Sequence, residues 1–411
     1  MKRKTLSIIS LLIIFVMLVQ IGVVSSNNEL SSGNLNTALN SLYDKTKDTT
    51  KVSSTNKPFV DSMRKFVLHF ASKKSLSNYL EYNTPKFVFP HLKMVIVNDW
   101  LSKKSELQKI AGVDGVFDVT NTKYTYIEPP EDTRYLIAGK DGVALTKASA
   151  QFLHVDELWD LGYHGEGIVI YDIDSGINYN HADFEDRILL NISKSFINSQ
   201  YGYKSNDTSL DDPIGHGTHT AGICAGAGIA NPDYIGMAPK ANLLIAKLGS
   251  PAPPEAFLGA FDYGMSLGIV DVINLSWGGT DVEGQDVEEV AVKELMLNGI
   301  LIAIAAGNSG DSAPIGYYSA EAPGSAPQGI SVAATSISGS KAPFSSMGPT
   351  ADGFVKPDLG APGMNIMSCG TESSDDYVSM SGTSMATPHI TGISAVLIQA
   401  LKALNIQYDA G

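Results

Sequence analysis

The chain has 411 residues, of which 44% are hydrophobic and 18% are charged, so it can bury a large core and is not a mainly disordered protein. Its net charge of −14 argues against a nucleic-acid partner, because a phosphate backbone is bound by clustered Lys and Arg. The two cysteines, Cys224 and Cys369, are too few for a disulfide framework or a four-cysteine zinc site, and the sequence leaves open whether they pair. The composition predicts a soluble, acidic, glycine-rich α/β protein.

The N-terminus has the pattern of an export signal. Basic residues at positions 2–4 precede an apolar run over residues 6–24, and the small residues Ser25 and Ser26 follow. This order predicts a signal sequence over residues 1–26 and a secreted, extracytoplasmic chain. The run is also near the lower limit for crossing a bilayer, so an N-terminal anchor is the alternative, and we expect membrane contact only if the segment is retained.

Two regions that differ in composition and in predicted secondary structure follow. Residues 27–62 are rich in Ser, Thr, Asn and Lys and are predicted to be a linker. Residues 63–128 read as a compact α+β region with a marginal core, because about sixty residues bury little surface. Its predicted elements are strands at residues 66–70, 94–97 and 116–119 and a helix within residues 99–111.

The sequence after residue 128 has the pattern of a linker followed by a large domain. Residues 129–152 lose periodicity around two prolines and a glycine, which favours a processing linker. Residues 153–411 alternate short apolar runs with helical stretches, the pattern of a doubly wound parallel sheet, in which ligands bind beyond the carboxyl ends of the strands. The predicted strands are residues 167–174, 243–247, 270–274, 301–305 and 330–333, and the predicted helices include residues 255–265 and 287–297.

Four polar residues stand at the ends of these elements. Asp174 closes the first strand, Asn308 follows another strand, and His216 and Ser384 open helices. A carboxylate, an imidazole and a hydroxyl are the components of an activated serine nucleophile. Each residue alone has an ordinary alternative as a turn, loop or helix-capping residue. Their joint occurrence at element ends favours the catalytic interpretation.

Five segments around these residues resemble the signature motifs of the subtilisin-like serine proteases, the subtilase family, in that family's order of acid, base and nucleophile. The segments are residues 171–176, 215–222, 274–279, 305–308 and 381–389. The resemblance covers residues 153–411. It implies that Asp174, His216 and Ser384 are the catalytic triad and that Asn308 is the side-chain donor of the oxyanion hole. A secreted endopeptidase acting through an acyl-enzyme is therefore expected, and a catalytically silent binding or surface-layer relative is the alternative.

The same resemblance implies that an extended protein or peptide substrate adds as a strand between two segments. The substrate-binding residues are Ser276, Trp277 and Gly278 on one side and Ala305, Ala306 and Gly307 on the other, near the primary specificity pocket. Small residues lining a pocket leave room for a large apolar side chain, so we expect an apolar preference. The bulky Trp277 either narrows a neighbouring pocket or packs inward.

Residues 63–128 resemble the small α+β, ferredoxin-like prodomain of the family. The resemblance implies a partner that assists folding and inhibits the enzyme until autoprocessing, which we expect between Glu128 and Leu153. The chemistry needs no cofactor. A structural calcium ion is possible by the same resemblance, although residues 226–236 contain no obvious run of ligands. The resemblance also leads us to expect a further strand and helix after Gly411.

Asp172 departs from the family pattern. It lies two residues before Asp174, on the same face of the predicted strand, where the family usually has an apolar residue. A second buried carboxylate is costly unless it is protonated or hydrogen-bonded. Our hypothesis is that Asp172 is neutral or hydrogen-bonded close to the site.

Overall fold

A computed structural model describes residues 64–99, 104–126, 144–279, 287–310 and 318–406. These residues belong to two compact units, one ending at Thr122 and one beginning at Lys123, and each is described by itself. The predicted signal sequence and the linker over residues 27–62 lie outside the described residues. Within the described part of the chain, no helix has the length and apolar character that crossing a membrane requires.

The N-terminal unit is a four-stranded antiparallel sheet with two helices. Its elements are β1 (Arg64–Phe70), α1 (Lys73–Leu80), β2 (Phe87–Phe89), β3 (Met94–Asp99), α2 (Lys104–Leu107) and β4 (Val113–Asp118), and the strand order is β2-β3-β1-β4. This βαββαβ order is the expected ferredoxin-like arrangement. Phe66, Leu68 and Phe70 lie on one face of β1 and pack in one cluster with Leu76 and Leu107 of the helices.

The second unit begins with short elements and continues as an alternation of strands and helices. Its first half contains β5 (Thr125–Tyr126), β6 (Ala144–Leu145), α3 (Thr146–Phe152), α4 (Val155–Trp159), β7 (Val169–Asp174), β8 (Lys194–Ser195), α5 (His216–Ala225), β9 (Asn242–Lys247) and α6 (Pro254–Leu267). Its second half contains β10 (Val272–Leu275), β11 (Trp277–Gly278), α7 (Val287–Leu297), β12 (Leu301–Ala305), β13 (Ile330–Thr335), β14 (Leu359–Pro362), β15 (Ile366–Cys369), β16 (Tyr377–Met380) and α8 (Thr383–Ala403).

A seven-stranded parallel sheet organises this unit, in the order β14-β13-β12-β10-β7-β9-β8. β10 and β12 are buried along their whole length, as apolar runs in a parallel sheet require. β7 lies between β9 and β10, so the direction of winding changes at its edges. In such sheets the carboxyl end of this position is where ligands bind, and here that end is Asp174.

The second unit starts earlier than the sequence indicated. The predicted linker over residues 129–152 contains β6, which pairs with β15, and the helix α3. The helix buries Thr146, Ser149 and Ala150 rather than large apolar side chains. Small residues give no apolar periodicity, so the pattern that identifies amphipathic helices was absent.

Both cysteines are buried as free thiols, Cys224 in α5 and Cys369 at the end of β15. Burial raises the pKa of each thiol well above its usual value, and carboxylates close to each raise it further. Because both are free thiols, Cys224 and Cys369 do not form a disulfide with each other.

Candidate active site

The predicted acid and base meet at the carboxyl end of β7. Asp174 ends the strand, His216 begins α5, and His216 Nδ1 lies 2.8 Å from Asp174 Oδ1 with both side chains almost fully buried. Because a carboxylate oxygen accepts, this contact assigns a proton to Nδ1. Nε2 is then the ring nitrogen that can take up a proton, as a general base must.

Close backbone packing brings α5 onto the end of β7. A Cβ atom on Gly217 would lie 2.3 Å from the Gly176 carbonyl oxygen and 3.1 Å from Asp174 Cβ, so only glycine fits there. The loop before His216 is held by Asp212, which the sequence analysis missed. The Asp212 carboxylate accepts hydrogen bonds from Ser175 Oγ, the backbone N–H groups of Ile214, Gly215 and Thr218, and Thr218 Oγ1.

The predicted nucleophile lies in the first turn of the last helix. Ser384 is fully buried, and α8 packs directly against α5. Ser276, which follows β10, donates its hydroxyl to the Ser384 carbonyl oxygen at 3.1 Å and so ties the start of α8 to the central strands. The backbone N–H of Ser384 is among those at a helix N-terminus that have no intrahelical acceptor.

Two donors converge beside Ser384. Thr383 donates to Asn308 Oδ1 from its backbone N–H at 2.9 Å and its hydroxyl at 3.0 Å, which turns the Asn308 amide nitrogen the other way. A Cβ atom built on Gly382 would lie 3.2 Å from Asn308 Nδ2 and 3.6 Å from the Ser384 nitrogen. Both nitrogens therefore lie within 3.6 Å of one point beside Gly382, which agrees with the oxyanion-hole role expected for Asn308.

A short strand of the same unit already occupies the predicted substrate-binding edge. In β5, Tyr126 pairs with Trp277 and Thr125 pairs with Gly278, antiparallel to β11. On the other side, Tyr124 and Ala252 exchange backbone hydrogen bonds of 2.9 and 2.6 Å. Residues 124–126 thus have strand partners on both sides, as an extended peptide substrate would.

Aromatic packing anchors this strand. The Tyr124 side chain is 1% exposed and stacks on Phe257 of α6, with ring centroids 4.4 Å apart. Trp277 is fully buried, which agrees with the inward-packing alternative for this residue.

An acid that the sequence analysis missed lies against the other predicted wall. Glu321 Oε1 accepts from the Asn308 backbone N–H at 3.3 Å and from Ser309 Oγ at 2.9 Å. Gly307 has a φ of +108°, and a Cβ on it would lie 2.6 Å from the Glu321 carboxyl carbon. Burial raises the pKa of Glu321, and hydrogen bonds from Ser309 and Asn308 partly oppose the rise.

Asp172 lies in a buried polar network behind the acid. Asn274 Nδ2 donates to Asp172 Oδ1 at 2.8 Å, and Thr220 Oγ1 lies 3.3 Å from Asp172 Oδ2. That hydroxyl also lies 3.5 Å from Asp174 Oδ2 and 3.0 Å from the Gly217 carbonyl oxygen. The single hydroxyl proton of Thr220 cannot bond to all three acceptors at once. A proton on Asp172 would supply the second donor that these oxygen atoms need. Burial and the Asp174 carboxylate both raise the pKa of Asp172 well above its usual range.

The neighbouring histidines have structural contacts. His219 Nε2 lies 3.0 and 3.1 Å from the carbonyl oxygens of Ile366 and Val378, and burial lowers its pKa to about 3. His389 Nδ1 lies 2.8 Å from the Met385 carbonyl oxygen, and burial lowers its pKa to about 4. Both histidines are therefore uncharged residues with structural contacts inside their helices.

Among the described residues, His181, Asp183 and Cys369 form a group that could hold a metal ion. The Asp183 carboxylate is already surrounded by donors, namely the backbone N–H groups of Ile229 and Ala230, the hydroxyl of Tyr377 and the thiol of Cys369. A cation needs acceptors instead, so this arrangement does not fit a metal site as it stands.

An acid–imidazole pair at the switch point of a parallel sheet, with a serine opening the adjacent helix, is the arrangement of a serine hydrolase. Comparison with known proteins agrees. Residues 165–407 match the family model described as the Subtilase family. Thermitase from Thermoactinomyces vulgaris is 32% identical over 263 residues, which cover 62% of this chain and 84% of that protein.

Two further relatives are alkaline protease 1 of Aspergillus flavus, 32% identical over 74% of this chain and 72% of its own, and serine protease AprX of Bacillus subtilis, 33% identical over 65% of each. A solved structure of a cold adapted subtilisin-like serine proteinase covers 58% of this chain and 77% of its own at 30% identity, with a TM-score of 0.46. The chain belongs to the subtilase family. It is a serine-type endopeptidase, and its substrates are proteins or peptides.

Proposed function

We propose that this chain is a secreted endopeptidase that cleaves peptide bonds through an acyl-enzyme, with Ser384 as nucleophile, His216 as general base and Asp174 as the acid that orients the base. The observation that carries the proposal is the buried 2.8 Å contact between His216 Nδ1 and Asp174 Oδ1. It fixes the tautomer in which Nε2 accepts the serine proton.

In the first step, Ser384 Oγ bonds to the substrate carbonyl carbon and its proton passes to His216 Nε2. Asn308 Nδ2 and the Ser384 N–H stabilise the negative oxygen of the tetrahedral intermediate. The carbon–nitrogen bond then breaks, and the amine leaves with the proton from His216. Water attacks the ester in the same way, giving the acid and restoring Ser384. No cofactor enters these steps.

We also propose that the enzyme is made as a precursor that its own N-terminal region inhibits. The support is the pairing of residues 124–126 with both β11 and Ala252, since this strand occupies the edge that a substrate needs. Autoprocessing is proposed between Tyr126 and Ala144. The strands β5 and β6 flank this segment, and each is paired with another strand of the unit. We therefore place the cut between them. N-terminal sequencing of secreted enzyme tests this; a mature chain that begins at or before Tyr126, or after Ala144, contradicts it.

Covalent labelling tests the chemistry. A fluorophosphonate probe is expected to label the processed wild-type enzyme and to leave Ser384→Ala unlabelled, because the probe reacts with an activated serine. Exposed Ser373→Ala is the matched control and is expected to label like the wild type. Absence of labelling in processed wild type would instead support the catalytically silent alternative.

A further inference from the structure

Glu321 lies between the oxyanion donor and the strand that binds substrate. Its backbone N–H donates to the Ala306 carbonyl oxygen at 3.0 Å, and its carboxylate accepts from the Asn308 backbone N–H. The next residue, Ala322, exchanges backbone hydrogen bonds with Gly279, directly after β11. The Glu321 side chain therefore lies against the segment around Gly307.

The substrate arrangement proposed above brings this position next to the side chain that precedes the cleaved bond. With that carbonyl between Asn308 Nδ2 and the Ser384 N–H, and the peptide paired to β11, the side chain before the cleaved bond enters beside Ala305, Ala306 and Gly307. The small residues leave the space that the sequence analysis assigned to an apolar side chain. The space borders a carboxylate, however, and an apolar group pressed on a carboxylate would remove water from it without a compensating bond.

Among the residues that the structure describes, the Glu321 carboxylate also has no counter-charge. Its two hydrogen bonds with described residues fall on Oε1 and come from uncharged donors, and no lysine or arginine of this part of the chain pairs with it. Oε2 can therefore accept from a ligand. An ammonium or guanidinium group would supply the missing positive charge and form a charge-assisted hydrogen bond.

We propose that Glu321 is the specificity-determining residue of the primary pocket and that it selects lysine or arginine immediately before the cleaved bond. This proposal rests on the proposed protease function. It replaces the apolar preference expected from the small residues alone.

The test compares peptides that differ only in the residue before the cleaved bond: lysine, arginine, norleucine as the uncharged counterpart of lysine, phenylalanine and glutamate. Enzyme from the full chain is processed and then titrated with the fluorophosphonate probe, so that kcat/KM refers to active sites. Wild type is expected to favour lysine and arginine over norleucine by about 10- to 100-fold, the range for a hydrogen bond to a charged group. Glu321→Gln is expected to reduce this ratio to within about threefold.

Two further variants sharpen the result. Glu321→Lys is expected to prefer glutamate, whereas Glu166→Gln removes an exposed negative charge elsewhere and is expected to keep the wild-type ratio. A wild-type preference for phenylalanine or norleucine overturns the proposal, as does an equal loss for every peptide in Glu321→Gln. If neither Glu321 variant folds, the preference of the wild-type enzyme among the five peptides by itself supports or overturns the proposal. Absence of labelling would refute the protease function itself and is distinguishable from labelled enzyme without basic preference.

Discussion

Asp172 and Asp174 lie on the same buried face of β7, and their Oδ2 atoms lie 3.3 and 3.5 Å from the single hydroxyl of Thr220. Two carboxylates this close to one donor cannot both be ionised without a large cost. Burial and the Asp174 carboxylate raise the pKa of Asp172 well above its usual range, so Asp172 keeps its proton to a higher pH than an ordinary aspartate does.

This arrangement predicts a pH-dependent stability difference. A pKa raised in the folded protein above the unfolded value of about 3.9 gives a stability contribution that is complete below pH 4 and is lost as pH rises through the raised pKa. Asparagine does not titrate. In the Ser384→Ala background, which prevents autolysis, Asp172→Asn is expected to gain stability relative to its parent by up to about 1.4 kcal/mol per pH unit in that window.

Thermal unfolding of the two proteins from pH 4 to pH 8 measures this difference. A difference in Tm that is constant over the range would contradict the protonated state. In active enzyme, Asp172→Asn is expected to leave the acidic limb of the kcat/KM profile unchanged, because it replaces one neutral group with another near His216.

Asn308→Ala is expected to lower kcat strongly and change KM little, because the amide acts mainly on the negative oxygen of the intermediate. The expected factor is about 10²–10³, which is the loss known for removal of such a donor from a subtilisin. Steady-state kinetics with an active-site titration measures it. A rise in KM at constant kcat would show that Asn308 binds the ground state instead.

Thr383 is expected to act as a positioning residue, because its hydroxyl holds Asn308 Oδ1 at 3.0 Å. Thr383→Val keeps the shape of the side chain and removes two hydrogen bonds of the hydroxyl, one to Asn308 Oδ1 and one from the Gly307 backbone N–H at 3.2 Å. The fall in kcat should therefore be about 5- to 100-fold, the range for two hydrogen bonds. Thr383→Ser keeps the hydroxyl and should restore kcat. Equal loss in both variants would point to packing rather than to orientation of Asn308.

Tyr124→Ala is expected to loosen the strand that blocks the substrate edge, since it removes a buried ring stacked on Phe257. Loss of such a ring costs about 3 kcal/mol or more where it is fully buried. In Ser384→Ala precursor, which cannot cleave itself, a fluorescent peptide should bind at least about tenfold more tightly once Tyr124 is removed. Tyr124→Phe should bind it like the parent, and fluorescence anisotropy measures all three. Equal affinity in all three would mean that Tyr124 does not hold the strand.

The charge on Glu321 predicts a pH-dependent preference. Its raised pKa means that the carboxylate is present above that pKa and is neutral below it, so the lysine-to-norleucine ratio of kcat/KM should fall as pH is lowered. Effects of pH on the shared catalytic steps cancel in this ratio, because they affect both peptides equally. The two groups bonded to the carboxylate, the Asn308 backbone and the Ser309 hydroxyl, are uncharged. A ratio that is flat from pH 5 to pH 9 would oppose this expectation.

Much of the fold follows from local sequence, because buried parallel strands are short apolar runs. β12 and α7 have the predicted bounds, and Asp174 and His216 meet because the strand end and the helix start lie at one edge of the sheet. The contact between Asp174 and His216 could thus be predicted without coordinates, whereas the catalytic roles of the motif residues stay predictions.

Other features depend on pairing between distant segments that carry no local pattern. Glu321 is a single acid in an aperiodic loop, and its contact with Asn308 arises only when two loops cross. Asp212 reads as one polar loop residue among several, and nothing local indicates that five donors converge on it. The pairing of β5 with β11 involves two residues on each side, too few for a strand pattern.

The two sequestered thiols give this enzyme a practical property. Cys224 and Cys369 are buried and their raised pKa values keep them protonated, so maleimide dyes should bypass both in the native state. A cysteine introduced at an exposed position of the N-terminal unit would then be the single attachment point for a fluorophore. The proposed release of that unit by autoprocessing could then be tested in real time, without first replacing the native cysteines.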